Sequence, residues 1–168
     1  MRYLVGTFLL MLLAAAQSSI LPAFRINSGQ PDLIFLCVLA WSVRANWQES
    51  LFWAFVGGLC HDALSLLPLG VSSVPLLIGV YVIKSVETQL YSFNPLLLLP
   101  VVLIGTLIQH ALIFVALGVF RGYAVDLLAS VRYFTLPTLF YHLVLLLPVY
   151  VLVRLVQGRA PMTPPTGF

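Results

Sequence analysis

Five side chains that could do chemistry lie in apolar stretches of this sequence: Asp62, His61, Gln109, His110 and His142. An aspartate at the centre of a membrane helix costs about 2.5 to 3.5 kcal/mol to insert, so Asp62 needs hydrogen-bond donors around it. Three hypotheses follow for Asp62. It can accept hydrogen bonds from a neighbouring helix or a loop backbone, it can contact a partner protein, or it can take part in transport or catalysis.

The other polar groups in these stretches are interpreted as structural. Gln109 and His110 are expected to form interhelical hydrogen bonds, worth about 0.6 kcal/mol on average. His142 is expected to be an interior histidine with satisfied hydrogen bonds. His61 precedes Asp62 directly, so on a helix it points about 100° away and need not share the role of Asp62.

The spacing of these groups gives little support to enzyme or metal chemistry. The three histidines lie on separate predicted helices, without the i, i+4 or HExxH-type pair that favours a zinc site. Asp32 and Asp62 are expected to stand alone on separate helices, which leaves no paired carboxylates for acid and base work. The sequence has no nucleophile elbow, phosphate-binding glycine loop or CxxC motif, and Cys37 and Cys60 are interpreted as buried small residues. We therefore predict a protein that is not an enzyme and that uses no metal or cofactor.

Composition places the chain in a membrane. Of its 168 residues, 61% are hydrophobic and only 8% are charged, whereas about a quarter of residues in soluble domains are charged. The eight Lys and Arg residues are scattered rather than clustered, which argues against nucleic-acid binding and fits loop charges that set topology. Lys84 and Glu87, three apart at a predicted helix end, are interpreted as a solvated ion pair without function.

The apolar runs predict an all-α integral membrane protein, a bundle of about six transmembrane helices. Residues 1–157 form one helical-bundle domain and residues 158–168 a disordered proline-rich tail. The predicted spans are 3–21, 33–43, 51–67, 71–86, 95–120 and 133–156. Residues 121–132 are expected to form an amphipathic turn or short helix on the membrane surface. Trp41, Trp47 and Trp53 are interpreted as an aromatic belt at the headgroup level.

Loop charges indicate the orientation of this bundle. With both termini in the cytoplasm, five cations fall inside and three outside. The inside cations are Arg2, Arg44, Lys84, Arg154 and Arg159, and the outside ones are Arg25, Arg121 and Arg132. This difference favours cytoplasmic termini.

The third predicted helix has small residues on one face. At helical spacing Ala54, Gly58, Asp62 and Ser65 fall on one stripe, with Gly57 beside it. Small residues let another helix approach closely, and a close neighbour can supply the donors that Asp62 needs. We expect this face to receive the transmembrane helix of a partner protein.

Prolines and glycines mark helix ends on both sides of this stripe. Pro31 is expected in the first turn of the second helix, with Asp32 near the positive end of its dipole. Pro68 and Gly70 are expected to end the third helix, because proline disfavours a helical residue before it and glycine permits the turn. Together with the stripe, these four residues form the predicted partner-binding or structural motif.

The same residues form a recognisable pattern. The motifs are Gly29-x-Pro31-Asp32-Leu33, Gly57-Gly58-Leu59-x-x-Asp62-x-Leu64-Ser65-x-x-Pro68-Leu69-Gly70 and Gly79-x-Tyr81. This pattern resembles the bacterial rod shape-determining protein MreD family. The resemblance extends over the whole chain in size and helix count, and it is most specific from Gly29 to Tyr81. His142 departs from it, since an amide is expected at that position.

The resemblance implies a non-enzymatic membrane scaffold of the cell-elongation machinery in the bacterial cytoplasmic membrane. Its implied partner is an MreC-like bitopic membrane protein, and through that protein MreB filaments and the wall-synthesising glycosyltransferase and transpeptidase. Its implied role is to help regulate cell shape and peptidoglycan synthesis. The family is also similar in fold to the substrate-binding subunits of energy-coupling-factor transporters. The alternative function is therefore that of a small-molecule-binding subunit of an uptake transporter.

Overall fold

The computed structural model describes residues 2–25, 28–65, 68–89, 98–122 and 126–158. Its elements are α1 (Arg2–Ser19), a 3-10 turn (Leu21–Phe24), α2 (Leu33–Ser42), α3 (Trp47–Ala63), α4 (Ser73–Gln89), α5 (Leu98–Arg121), α6 (Leu127–Ser130), a π-helical turn (Val131–Thr135) and α7 (Leu136–Gln157). Six of these helices correspond to the predicted spans, and α6 is the predicted short helix within 121–132. The all-α bundle is thus confirmed. The predicted tail, apart from Gly158, lies outside the described residues.

Several of these helices suit a membrane. Within the described part of the chain, three helical stretches are long and apolar enough to cross one: Gly6–Ala23, Leu98–Val119 and Leu128–Gln157. Two further apolar helices are shorter, Leu33–Ser42 and Ser73–Val86.

The centre of the bundle is α2, the shortest of the six helices that correspond to the predicted spans. Seven of its ten residues are buried, and it packs against α1, α3, α4, α5 and α7. A helix that is apolar on all sides belongs either in a protein core or in lipid, and α2 lies in the core of the bundle. At 1.5 Å per residue α2 is about 15 Å long, half the thickness of a bilayer core. Its first residues lie within the bundle, since Asp32, Ile34 and Phe35 are buried.

The connection before α2 is held against the start of α7. Pro137 has no N–H group, so the carbonyl of Tyr133 lacks its α-helical donor. The backbone N–H of Ser28 donates to this carbonyl at 3.1 Å. A Cβ atom at Gly29 would lie 2.6 Å from Pro137 Cβ and 2.8 Å from the Phe134 carbonyl oxygen. Glycine at position 29 thus allows the approach that this hydrogen bond requires.

Polar contacts also hold together the end of the bundle where α2 ends and α3 begins. We call it the Arg44 end. There Arg44 donates to the Gly158 carbonyl at 3.2 Å and Gln157 Nε2 to the Trp41 carbonyl at 3.0 Å. Lys84 is buried and its Nζ donates to the Ala45 carbonyl. The interpretation of Lys84 as half of a solvated ion pair is therefore wrong, and the side chain of Glu87 lies outside the described part.

Two of the three tryptophans donate hydrogen bonds to a buried carboxyl group at this end. The indole N–H groups of Trp41 and Trp53 donate to Glu49 Oε1 at 3.2 and 3.3 Å. Trp53 is buried, whereas Trp47 is exposed. The predicted aromatic belt is corrected accordingly, because Trp53 turns inward to a buried carboxyl group.

Candidate functional site

A cluster of polar side chains lies inside the bundle around the start of α2. We call it the polar cluster, and its members are Gln17, Asp32, His61, Asp62, Ser72, Thr106, Gln109 and His142. They come from α1, α3, α5, α7 and the residues just before α2 and α4. Each member except His61, which is half-buried, is buried. This polar cluster lies at the end of the bundle opposite Arg44, which we call the Arg25 end.

The first task of this cluster is to satisfy the amide groups at the start of α2, which lack intrahelical acceptors. The four amides belong to Asp32, Leu33, Ile34 and Phe35. The Asp32 amide donates to His142 Nε2 at 3.1 Å. Gln17 Oε1 accepts from the amides of Leu33 and Ile34 at 2.9 and 3.2 Å. Asp32 Oδ1 accepts from Phe35 at 3.0 Å as the N-cap. A buried helix start is thereby fully hydrogen-bonded.

His142 has both ring nitrogens engaged, as predicted for a satisfied interior histidine. Because Nε2 accepts the Asp32 amide, a neutral ring has its proton on Nδ1. Nδ1 lies 2.7 Å from Thr106 Oγ1, which donates to the Val102 carbonyl at 2.7 Å. The ring also stacks on Phe35, with centroids 5.6 Å apart and planes at 13°. His142 therefore joins α7, α5 and the start of α2.

The carboxyl group of Asp32 joins three helices. Oδ1 accepts from Gln17 Nε2 at 3.1 Å and Oδ2 from Gln109 Nε2 at 2.7 Å. His61 Nε2 lies 3.5 Å from Oδ2. The predicted interhelical bond of Gln109 is confirmed, and His110 forms another, with Nδ1 3.0 Å from Thr135 Oγ1.

Asp62 holds the connection between α3 and α4. Its Oδ2 accepts from the amides of Gly70 and Ser72 at 2.7 and 3.1 Å. The structure therefore favours the first hypothesis for Asp62, an acceptor for loop backbone. Gly70 has φ +99°, a conformation that glycine adopts without strain. The third helix ends at Ala63, before the predicted Pro68 and Gly70, because Asp62 draws the following chain back onto the helix.

His61 corrects the expectation that the two aspartates stand alone. Its Nε2 lies 3.5 Å from Asp32 Oδ2 and its Nδ1 3.7 Å from Asp62 Oδ1. Ser72 Oγ lies 2.9 Å from Nδ1. The ring thus connects both carboxyl groups, because Asp62 follows His61 on α3 and the connection before α2 brings Asp32 to the other ring nitrogen.

The small-residue face of α3 is covered within this chain. A Cβ atom at Gly58 would lie 2.4 Å from Ser73 Cα, and one at Gly57 2.9 Å from Val38 Cγ2. Ser73 Oγ also donates to the Phe55 carbonyl at 3.1 Å. The expectation that this face receives a partner's helix is corrected, because α4 and α2 fill it.

The remaining motif residues lie around the same two connections. Ala54 is fully buried on α3, and Ser65 Oγ donates to the Asp62 carbonyl at 3.1 Å. Pro31 is buried directly before the N-cap of α2, which corrects its expected place in the first turn, because Asp32 caps the helix and Leu33 begins it. The Pro68 carbonyl accepts from the Val71 amide at 3.4 Å. The fold thus brings the nine predicted residues to the start of α2, the inward face of α3 and the α3–α4 connection.

A cavity of about 460 Å³ lies beside the polar cluster at the Arg25 end. Its lining residues are Gln17, Arg25, Ser28, Gln30, Asp32, His61, Ser65, Gln109, His110, Ile113, Phe114, Phe134 and Thr138. Within the described residues, no group of three His, Cys, Asp or Glu side chains could hold a metal ion. The cavity combines interior polar groups with one aromatic wall.

Comparison with protein families matches residues 1–157 to the rod shape-determining protein MreD. The chain belongs to the MreD family. MreD is a family of shape-determining structural proteins and not a known enzyme family. Together with the apolar helices, membership in MreD indicates a membrane protein. Searches of curated proteins and of solved structures gave no match.

Sequence reasoning about this MreD chain missed three members of the polar cluster: Gln17, Ser72 and Thr106. Gln17 is the one amide in the first apolar run, and that position is a signal that could have been used. Ser72 and Thr106 give no such signal, because serine and threonine are common in membrane helices and can bond to their own backbone.

Proposed function

We propose that this chain is a non-enzymatic scaffold of the bacterial cell-elongation machinery. In this role it binds an MreC-like bitopic protein in the cytoplasmic membrane and so helps to regulate cell shape and peptidoglycan synthesis. MreB filaments and the wall-synthesising glycosyltransferase and transpeptidase are indirect partners. The observation on which this proposal rests is the match of residues 1–157 to the MreD family.

The use of the polar groups supports a non-enzymatic role. Asp32, Gln17 and His142 satisfy the start of α2, and Asp62 satisfies the α3–α4 connection. An acid or base must reach a substrate proton, and these groups already hold the backbone in place. The same bonds give the bundle a fixed shape, which a scaffold requires.

An apolar groove between α4 and α5 offers a surface for the partner. It has a volume of about 230 Å³ and contains Gly79, Pro100 and Gly105. Ile78, Val82 and Ile104 line it and are partly exposed on the outside of the bundle. We propose that this groove, rather than the filled face of α3, receives the single transmembrane helix of the MreC-like partner. Gly79 and Gly105 face Leu39 and Phe35 of α2, so the partner's helix would pack against the aliphatic side chains of the groove. Helix association in lipid depends on such close packing.

Tryptophan substitutions test this surface. Ile104→Trp fills the groove without touching the polar cluster, and Leu152→Trp, on the exposed side of α7, is its matched control. The groove variant should lower recovery of the MreC-like partner from detergent about tenfold, equivalent to about 1.4 kcal/mol of binding. Leu152→Trp should leave recovery unchanged. Equal recovery with both variants would refute the groove as the partner site.

We also propose a multi-pass topology with the Arg44 end in the cytoplasm. Arg2, Arg44 and Arg154 belong to this end, and Arg25 and Arg132 belong to the other. Positive charge is enriched in cytoplasmic loops, so this charge difference supports the orientation.

The cavity at the Arg25 end favours one second candidate, a small-molecule-binding subunit of an uptake transporter. Its volume of about 460 Å³ lies in the usual range of ligand sites, about 300 to 1,000 Å³, and polar groups converge on it. Purified chain that binds a water-soluble compound with micromolar affinity, and loses it on Asp32→Asn, would support this candidate. The transporter candidate would be rejected if cells kept the full scaffold activity of this chain but showed no uptake of such a compound.

A further inference from the structure

Gln109, which lines the cavity at the Arg25 end, has an acceptor that the described part of the fold does not use. Gln109 is only 4% exposed, and donation from Nε2 to Asp32 fixes the orientation of its amide. Its Oε1 has no hydrogen-bond partner within the described residues. Buried acceptors are nearly always paired, and an unpaired one is costly. A ligand with an N–H or O–H group directed at Gln109 Oε1 would remove this cost.

Charges are arranged along the depth of the cavity. Asp32 and Gln109 are buried residues of its lining, and a carboxylate beside an unpaired amide oxygen suits a cation that donates hydrogen bonds. Arg25 is exposed and lines the cavity, and its Nε donates to Gln30 Oε1 at 3.0 Å. That bond holds the guanidinium beside the mouth, where it suits an anion. The pattern therefore fits a zwitterion with its N–H cation inward and its anion outward.

Part of the cavity lining is apolar and reaches the outside of the bundle. Ile113, Phe114 and Phe134 form it, and Phe114 and Phe134 meet edge to face with centroids 6.3 Å apart. Phe134 is exposed. A ligand that occupies the polar part and continues over Phe134 must have an apolar portion, as a membrane lipid has.

We propose that the cavity binds the headgroup of an aminophospholipid. The primary ammonium group donates to Gln109 Oε1 beside Asp32, the phosphate lies at Arg25, and the acyl chains leave over Phe134. This inference goes beyond the scaffold function, since it does not depend on any protein partner. The same ammonium and phosphate chemistry exists in free phosphoethanolamine, so the test must separate the two sources.

The test compares headgroups on the delipidated full chain by native mass spectrometry. Phosphatidylethanolamine should bind about tenfold more tightly than phosphatidylcholine, which has the same phosphate but a quaternary ammonium without N–H. Equal binding of the two lipids would overturn the proposal, since ordered water would then be a sufficient partner for Gln109. Free phosphoethanolamine that competes as well as the lipid does would overturn the lipid source.

Two variants locate the site. Arg25→Gln should weaken phosphatidylethanolamine binding about tenfold, whereas Arg154→Gln, the same charge change at the Arg44 end, should leave it unchanged. Arg25 and Arg154 are both exposed, so neither change should affect folding. Gln109→Lys places a fixed ammonium beside Asp32 and should abolish the preference for phosphatidylethanolamine over phosphatidylcholine. Equal effects of the two arginine variants would place the lipid elsewhere.

Discussion

At the residue scale, interior carboxyl groups stabilise this bundle because each has donors within reach. Asp62 shows the principle most directly, since its Oδ2 accepts from the amides of Gly70 and Ser72. The hydrogen bonds from these amides offset the cost of inserting the carboxyl group, because the amides would otherwise be unsatisfied inside a membrane.

Substitution of Asp62 should therefore destabilise the fold. Asp62→Leu leaves the half-buried amide of Gly70 and the buried amide of Ser72 without an acceptor, at a cost of about 1 to 3 kcal/mol each. Asp62→Asn retains one oxygen and should lose about half as much. The thermal unfolding midpoint in detergent measures both. An Asp62→Leu chain that unfolds at the midpoint of the unmodified protein would contradict this role.

A substitution of Gln17 tests the hydrogen bonds at the start of α2 in the same way. Gln17→Leu removes the acceptor of the Leu33 and Ile34 amides, and we expect a loss of about 2 to 4 kcal/mol. Ser18→Ala, at an exposed position next to it on α1, is the control and should cost less than about 0.5 kcal/mol. Hydrogen exchange at the α2 amides gives a second measurement, because Gln17→Leu should reduce their protection.

At the element scale, the approach of α3 to α4 depends on one glycine more than on its neighbour. A Cβ atom at Gly58 would meet backbone atoms of Ser73 at 2.4 and 2.5 Å, whereas one at Gly57 would meet the side chain of Val38 at 2.9 Å. Backbone cannot move aside as a valine methyl group can. Glycine at position 58 is thus required by packing within the chain.

Gly58→Ala should accordingly destabilise the protein by about 1 to 3 kcal/mol through overpacking, and Gly57→Ala by distinctly less. Unfolding midpoints of the paired variants give the comparison. The larger Gly58→Leu change should prevent folding before any effect on a partner can be measured. A Gly58→Ala variant no less stable than Gly57→Ala would show that α4 does not pack on this face.

The same scale shows how far the sequence determines the structure. Apolar runs predict the six long helices, because burial in lipid or in the bundle needs continuous hydrophobic sequence. The end of α3 is not predictable in this way, since Asp62 bonds to amides eight and ten residues later. Likewise, the junction at His61 depends on Asp32, which comes from the connection before α2. Such pairings are set by tertiary contacts that no local spacing contains.

At the scale of the whole molecule, the polar cluster and the cavity lie at one end of the bundle and Arg44 lies at the other. Gln48 is exposed at the Arg44 end in the first turn of α3, and Ser28 is exposed at the Arg25 end. The two natural cysteines are shielded, because Cys60 is buried and Cys37 half-buried. Single cysteines at positions 28 and 48 can therefore report which end faces which side of the membrane.

Ser28→Cys should react with a membrane-impermeant maleimide added to intact spheroplasts, and Gln48→Cys should react only after the membrane is permeabilised. The physical reason is the excess of positive charge at the Arg44 end, which is retained in the cytoplasm. The unmodified chain is the control and should remain unlabelled in both conditions. The reverse pattern would place the cavity mouth in the cytoplasmic leaflet, and the headgroup that reaches Gln109 would then come from that leaflet.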